Sequence, residues 1–134
     1  MMNAKKILVV EDDQVTSKLM SSALQSAGYQ VFMAADAASA VRIARTEDPD
    51  LITLDIHLDM ASPGDSWDGI ALGGWLRRLR GGQGRNGRPA MVVVSAQEAQ
   101  GIIEKVASIG AHSFLPKPVD RKKLLEVVAE ALKA

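Results

Sequence analysis

Short apolar runs alternate along this chain with longer stretches in which apolar residues recur at helical spacing. The runs occupy residues 7–10, 31–34, 51–54, 90–94 and 114–116, and a helical pattern follows each of them. Continuous apolar runs of this length are typical of parallel strands that are buried on both faces. The alternation therefore predicts an α/β fold in which five parallel strands and five helices form one doubly wound sheet.

Length and composition set limits on the class of protein. The 134 residues are 47% apolar, which is enough for one sizeable core, so we expect residues 1–134 to form one domain. Acidic and basic residues balance, which gives no general attraction to nucleic acid or to a membrane surface. The chain has no cysteine, which excludes disulfides and a thiolate nucleophile. No apolar run suits a membrane span or a signal peptide, so we expect a cytoplasmic protein.

Helical periods and capping residues predict where the helices lie. Asp36 and Asp120 stand where the second and fifth helices would begin. Apolar residues between positions 72 and 79, and between 102 and 107, indicate the third and fourth helices. The first helix is predicted over 14–27 from four apolar residues spaced four apart and a glycine that follows them: Val15, Leu19, Ala23, Ala27 and Gly28.

Four of the predicted strands end at residues with chemically active side chains. Glu11 and Asp12 follow the first strand, and Asp55 follows the third. Ser95 ends the fourth strand, and Lys117 follows the fifth. Because the carboxyl ends of parallel strands meet at one edge of a sheet, we expect these five side chains to lie close together.

This set of side chains suits a divalent cation and a phosphoryl group. Carboxylates are ligands for Mg²⁺, with Asp12 expected to bind directly and Glu11 able to reach the ion through water. A carboxylate oxygen of Asp55 can attack phosphorus and form an aspartyl phosphate. Lys117 and Ser95 can then contact the phosphoryl oxygens, the first by charge and the second by a hydrogen bond.

Four segments of the chain, in this order and spacing, resemble the receiver domains of two-component response regulators. They read Val-Val-Glu-Asp-Asp, Leu-Ile-Thr-Leu-Asp, Val-Val-Val-Ser-Ala and Phe-Leu-Pro-Lys-Pro. The resemblance covers nearly the whole chain. Among receivers, the chain is similar in kind to the single-domain receivers of chemotaxis. It implies a flavodoxin-like fold with strand order 2-1-3-4-5.

The resemblance also implies a role for particular residues and a cofactor. The cofactor is Mg²⁺, and the implied phosphoacceptor is Asp55. The family further implies a cis peptide before Pro118. The metal ligands would be Glu11, Asp12, Asp55 and the backbone carbonyl of His57. The catalytic residues would be Asp55, Lys117 and Ser95. The switch residues would be Ser95 and Phe114, and the lifetime of the phosphoryl group would depend on His57 and Gln97.

Partners follow from the same resemblance. A histidine kinase or a histidine phosphotransfer protein would donate the phosphoryl group. A downstream protein would bind the face made by the fourth helix, the fifth strand and the fifth helix. Such a domain signals and is not a turnover enzyme. We expect no direct contact with nucleic acid, because the arginine-rich stretch 77–88 lacks interleaved aromatic residues and is better read as a solvated face or a protein docking patch.

Two observations leave alternatives open. Residues 58–67 include an insertion of about six residues relative to the family pattern, and this segment, with Asp59 and Asp65, follows the strand that carries the acceptor. A solvated loop or a cover for the acceptor would both fit, so a pseudo-receiver that binds partners without phosphorylation stays possible. A phosphatase of the haloacid dehalogenase type also uses a strand-end aspartate, but His57 occupies the place of its second aspartate.

The acidic residues also have plainer interpretations. Carboxylates are favourable at the start of a helix. The acidic residues at 11–13 could therefore have no role other than stabilising the start of the first helix. We assign that role to Asp13 alone. A flavodoxin-like redox protein is disfavoured, because the acidic pair would repel a cofactor phosphate at this edge of the sheet.

Overall fold

The computed structural model describes residues 4–55, 76, 89–95 and 110–133. None of the helices among these residues is both long enough and apolar enough to cross a membrane. In chain order, the helices and strands are β1 (Lys6–Val10), α1 (Gln14–Ser26), β2 (Gln30–Ala34), α2 (Ala37–Glu47), β3 (Leu51–Asp55), β4 (Ala90–Ser95), β5 (Ser113–Pro116) and α3 (Arg121–Lys133).

The five strands form one parallel sheet with the order β2-β1-β3-β4-β5. This confirms the predicted fold class and strand order. The register places Val10 of β1 beside Leu54 of β3, and Asp55 of β3 beside Val94 of β4. Glu11, Asp55 and Ser95 therefore reach the same edge of the sheet, as the sequence predicted.

The core consists of two apolar layers, one on each face of the sheet. In β1, Ile7 and Val9 face the layer under α1 and α3, whereas Leu8 and Val10 face the layer under α2. All four side chains are at most 1% exposed, which explains why the strand is continuously apolar. Leu76, from the predicted third helix, is helical and buried in the layer under α2.

Local hydrogen bonds at both ends fix the limits of α1. The Asp13 carboxylate accepts hydrogen bonds from the Thr16 hydroxyl and from the Thr16 backbone N–H, the latter at 3.0 Å, and both lower the pKa of Asp13. At the other end Gly28 has φ +98°, and the N–H of Tyr29 donates to the Leu24 carbonyl at 3.2 Å. A residue with a side chain is strained at that φ, so the glycine ends the helix as predicted.

The buried face of α1 is not the one that the sequence pattern indicated. Val15 is 68% exposed and Leu19 is 66% exposed. A repeat of four residues turns by about 40° at each step around a helix of 3.6 residues per turn, so the predicted set cannot share one face over three turns. The face that packs on the sheet consists of Ser17, Met20, Ser21, Ala23 and Leu24.

The predicted caps of the other two helices are confirmed. The Asp36 carboxylate accepts the N–H of Ser39 at 2.8 Å, at the start of α2. The Asp120 carboxylate accepts the N–H of Lys123 at 3.0 Å, at the start of α3. Each side chain satisfies a backbone donor that has no partner within its helix.

Thr53 in the middle of β3 provides a test of the core. It is 1% exposed, and its hydroxyl has no hydrogen-bond partner among the residues described. We expect Thr53→Val to raise the free energy of unfolding by about 1 kcal/mol, because the change removes a buried unsatisfied hydroxyl and keeps a β-branched shape. Urea denaturation measures this difference.

The matched control for Thr53 is Thr46→Val in α2. Thr46 is exposed, and its hydroxyl donates to the Arg42 carbonyl. The control should change stability by less than about 0.5 kcal/mol. A loss of stability in Thr53→Val would contradict the view that its hydroxyl is unsatisfied.

Candidate functional site

Three carboxylates meet at the carboxyl edge of the sheet. Glu11 and Asp12 follow β1, Asp55 is the last residue of β3, and one oxygen from each lies within 4.8 Å of the others. Glu11 and Asp55 are each 2% exposed, whereas Asp12 is more accessible. The cluster therefore opens to solvent on the side of Asp12.

Lys117 lies between the two buried carboxylates. Its Nζ is 2.8 Å from Glu11 Oε1 and donates a hydrogen bond to Asp55 Oδ2 at 3.1 Å. Its backbone N–H donates to the Ser95 carbonyl at 2.9 Å, and the peptide bond to Pro118 is cis, as the resemblance implied. The end of β5 is thus fixed to the end of β4, with the ammonium directed at the acids.

The two oxygens of Glu11 have different partners. Oε1 pairs with Lys117, and Oε2 accepts the N–H of Asp13 at 3.1 Å. The Glu11 backbone is also fixed, because its N–H donates to the Ala34 carbonyl at the end of β2. The carboxylate is therefore held in place by β2, by the start of α1 and by the residue that follows β5.

Burial and neighbouring charges shift the pKa of both partners in this ion pair. Burial raises the pKa of Glu11 from its usual 4.5 to about 7; the Lys117 hydrogen bond opposes the rise, and Asp55 adds to it. For Lys117, burial alone would lower the pKa. The hydrogen bonds and charges of Glu11 and Asp55 outweigh burial, so its pKa lies above the usual 10.5.

Ser95 lies on β4 and Phe114 lies on β5, the strand next to it in the sheet. Ser95 ends β4, is fully buried and pairs in register with Pro116. Phe114 pairs with Val93 and is half-buried against the apolar layer under α2. The structure thus places Ser95, the predicted switch serine, at the same edge of the sheet as the acidic cluster, and Phe114, the predicted aromatic residue, two positions before the end of β5.

Several predicted residues lie outside the described residues. These are His57, the source of the implied carbonyl ligand, and Gln97, which was expected to affect the lifetime of the phosphoryl group. The inserted segment 58–67 and nearly all of the arginine-rich stretch 77–88 also lie outside. Their roles stay predictions.

The sequence reasoning missed one feature of the site. It assigned Lys117 to phosphoryl oxygens, and the structure shows the ammonium shared by Glu11 and Asp55. The signal for this was the pair of acids at the ends of two neighbouring strands, Glu11 after β1 and Asp55 on β3, since two buried carboxylates at one edge need a cation nearby.

The acidic cluster has the chemistry of a metal site. Glu11, Asp12 and Asp55 supply hard oxygen donors within 4.8 Å of one another. Magnesium is commonly bound by one or two carboxylates and keeps several waters, which the accessible side at Asp12 would admit. The acidic triad could therefore bind a metal such as Mg²⁺.

Comparison with known proteins identifies the family. The sequence model of the response regulator receiver domain matches residues 7–129. The chain belongs to the response-regulator receiver family. Its members act in two-component signal transduction, interact with histidine kinases and generally signal rather than turn over a substrate.

Individual relatives resemble this receiver over most of its length. The chemotaxis protein CheY of Treponema pallidum is 32% identical over 131 residues, which cover 96% of this chain and 83% of that protein. The polar-differentiation response regulator DivK of Brucella ovis is 25% identical over 131 residues, which cover 96% of this chain and 96% of that protein.

A solved structure gives the same result for the fold. The CheY-like receiver domain protein of Methanospirillum hungatei superimposes with a TM-score of 0.82 at 26% identity, covering 98% of this chain and 95% of that one. The acidic pocket of Glu11, Asp12 and Asp55 is consistent with the phosphoacceptor site of a receiver.

Proposed function

We propose that this receiver accepts a phosphoryl group on Asp55 from a phosphohistidine, in a reaction that depends on Mg²⁺. The observation that carries the proposal is the cluster of three carboxylates within 4.8 Å, with Lys117 at 2.8 Å from Glu11 and 3.1 Å from Asp55. The donor is a histidine kinase or a histidine phosphotransfer protein, and the domain acts in the cytoplasm.

The reaction exchanges one bond to phosphorus for another. A carboxylate oxygen of Asp55 attacks phosphorus, the bond from phosphorus to the imidazole nitrogen breaks, and the imidazole keeps that electron pair. Lys117 is already hydrogen-bonded to Asp55, so its ammonium can transfer its contact to a phosphoryl oxygen as negative charge accumulates there.

Glu11, Asp12, Asp55 and the backbone carbonyl of His57 would hold Mg²⁺, which when bound neutralises charge on the phosphoryl oxygens. Glu11 contributes from a fixed position, because Asp13 and Lys117 hold its two oxygens. Asp12 contributes from the accessible side of the cluster.

Phosphorylation then changes the population of two conformations. Ser95 donates a hydrogen bond to a phosphoryl oxygen, and Phe114 moves with it. The change reaches the face made by the fourth predicted helix, β5 and α3, which is the fifth predicted helix. A downstream protein binds this face. His57 and Gln97 set how long the phosphoryl group persists.

The first test is phosphorylation by a small donor. We expect acetyl phosphate with Mg²⁺ to add the mass of one phosphoryl group to the intact protein, and we expect no gain when EDTA removes the metal. Intact mass spectrometry over a time course gives the rate. No gain with Mg²⁺, together with failure to bind beryllofluoride, would contradict the proposal and favour a pseudo-receiver.

Two adjacent aspartates form a matched pair of variants for this test. Asp12→Asn removes a carboxylate of the metal cluster and should slow phosphorylation at least about tenfold at a fixed Mg²⁺ concentration. Asp13→Asn keeps a side-chain oxygen that can cap α1, so it should leave the rate nearly unchanged. Equal effects of the two variants would count against a metal role for Asp12.

A further inference from the structure

The two edge strands of the sheet, β2 and β5, differ in how well they are protected. An edge strand presents unpaired backbone groups, and natural proteins usually protect it with charged residues, with proline or by keeping it short. β5 has four residues, ends at Pro116 and is followed by Lys117. β2 has five residues, Gln-Val-Phe-Met-Ala, with no charge and no proline. β2 is therefore the less protected edge.

The backbone groups of β2 alternate between β1 and the free edge of the sheet. The Gln30 N–H and the Ala34 carbonyl bond to the residues on either side of β1, each at 2.9 Å. Even-numbered residues of β2 thus direct both backbone groups at β1, so Val31 and Met33 direct theirs outward. In the part of the chain that the structure describes, no hydrogen bond outside the ladder with β1 reaches the backbone of Val31 or Met33.

The central side chains of β2 are apolar and still partly accessible. Met33 is 51% exposed, and Val31 and Phe32 are half-buried. Val31 packs against the layer under α1, and Phe32 packs against the layer under α2. Met33 lines an open cavity together with Gln14 and Ser17 of α1. The helix therefore leaves this part of the edge uncovered.

We infer that β2 pairs with β2 of a second copy of this chain, antiparallel and across a twofold axis at Phe32. In this register Val31 of each copy lies opposite Met33 of the other. Both residues direct their N–H and carbonyl groups outward, so each such pair exchanges both of its backbone hydrogen bonds. The two sheets become one continuous sheet, and antiparallel pairing at the edge of a parallel sheet is common.

The alternation of backbone groups selects this register. An axis between two residues would place an outward-facing residue opposite one that is already bonded to β1. An axis at Val31 or Met33 would keep the alternation but shorten the overlap of the strands. With the axis at Phe32, the two phenyl rings meet on one face, and Val31 meets Met33 on the other. Apolar pairs of this kind stabilise neighbouring strands.

The absence of charge favours a second copy as the occupant. In a twofold dimer the same strand lies on both partners, so a charge near the axis would face its own copy. β2 has no charged residue, so self-pairing meets no such repulsion, and the strand offers no charge that would select a different protein. The nearest charged residue that follows β2, Asp36, would lie opposite Gly28 of the second copy.

The pairing is independent of the proposed phosphorylation. β5 lies at the opposite edge of the sheet from β2. The face of the fourth predicted helix, β5 and α3 would therefore stay accessible in both copies. The oligomeric state of the unphosphorylated chain tests the inference without reference to Asp55.

Sedimentation equilibrium over about 10 μM to about 1 mM measures the pairing. We expect a reversible equilibrium between monomer and dimer in the wild type. Met33→Lys should weaken the dimer at least about tenfold, because both lysines would enter the interface. Met33→Pro removes only an outward N–H, so it should keep the ladder with β1 and weaken the dimer as strongly. Leu19→Lys changes a 66% exposed side chain on α1 and is the control that should dimerise normally.

Engineered cysteines report the register, because the chain has none of its own. Val31→Cys and isotopically labelled Met33→Cys are mixed and oxidised, and mass spectrometry identifies the crosslinked pairs. Directly opposite residues of a hydrogen-bonded pair have Cα atoms about 5.5 Å apart, a distance that a disulfide spans. We expect crosslinks between the two variants and few between copies of the same variant, which the register places farther apart.

Several outcomes would overturn the inference. One is a wild type that stays monomeric at about 1 mM, which includes the case in which β2 pairs only with a strand of another protein. Another is a dimer that both Met33 variants leave intact, or that Leu19→Lys weakens equally. Growth beyond the dimer would also contradict it, because twofold pairing leaves no β2 edge free. Circular dichroism checks that each variant is folded; if Met33→Lys is not, Met33→Pro and the cysteine mixture decide.

Discussion

Lys117→Met is expected to lower the free energy of unfolding by about 3 kcal/mol in metal-free buffer near pH 7.5, because two buried carboxylates lose the cation that they share. Methionine keeps much of the length of the lysine side chain, so the loss comes from charge rather than from packing. Urea denaturation in the presence of EDTA measures the change.

Two further measurements attribute that loss to the acidic cluster. Mg²⁺ should return most of the stability of Lys117→Met, because a bound cation replaces the ammonium and binds the folded state alone. Adding Glu11→Gln to Lys117→Met should also recover stability, because one of the two carboxylates that lose the ammonium is then neutral. Lys133→Met, at an exposed position, is the matched control and should change stability by less than about 0.5 kcal/mol. Equal stability of Lys117→Met and the wild type would contradict the central role of the ion pairs.

Glu11→Gln is expected to make the protein more stable than the wild type at pH 8 without metal, and equally stable at pH 4.5. The folded state raises the pKa of Glu11 from 4.5 to about 7, so folding favours its protonated form. That contribution is fully present below pH 4.5 and is lost as the pH rises through about 7. At about 1.4 kcal/mol per unit of pKa, the difference between the variant and the wild type should grow to about 3 kcal/mol.

The measurement for Glu11 is a series of urea denaturation curves with EDTA between pH 4.5 and pH 8. Other groups titrate in this range, so the quantity compared is the difference between the variant and the wild type at each pH. Glu47→Gln is the control, because Glu47 forms a more exposed pair with Lys6, and its difference should stay flat. A flat curve for Glu11→Gln, or a less stable variant at pH 8, would contradict the pKa that burial gives to Glu11.

The buried carboxylates of the site lower the free energy of unfolding, and they do so for the sake of function. Glu11 and Asp55 are held together in a buried position with a single shared ammonium among the described residues, an arrangement that favours a positively charged ligand. Natural proteins commonly carry such destabilising arrangements at functional sites. A metal ion that binds there would relieve the repulsion between the carboxylates.

Much of the fold could be predicted from the sequence, because its signals are local. Continuous apolar runs identified the five strands, and Asp36, Asp120 and Gly28 marked helix ends that the structure confirms. The buried face of α1 could not be predicted in the same way. Its core-facing side includes Ser17 and Ser21, whereas Val15 and Leu19 point outward, so hydrophobicity alone indicated the wrong face.

The composition of the site was also predictable, but its arrangement was not. The rule that parallel strands end at one edge brought Glu11, Asp12 and Asp55 together correctly. Which carboxylate Lys117 contacts depends on distances of about an ångström, and a sequence pattern has no information at that scale. The raised pKa of Glu11 likewise comes from three-dimensional burial, which the alternation of residues cannot specify.

The most direct test of the account is to locate the phosphoryl group. After reaction with acetyl phosphate and Mg²⁺, borohydride reduces an acyl phosphate to the alcohol, which converts a phosphorylated aspartate to homoserine. Peptide mass spectrometry then identifies the residue. We predict homoserine at position 55 in the wild type and no converted residue in Asp55→Asn. Conversion at Asp12 or Asp13, or an undiminished phosphoryl gain in Asp55→Asn, would contradict the assignment of Asp55 as the acceptor.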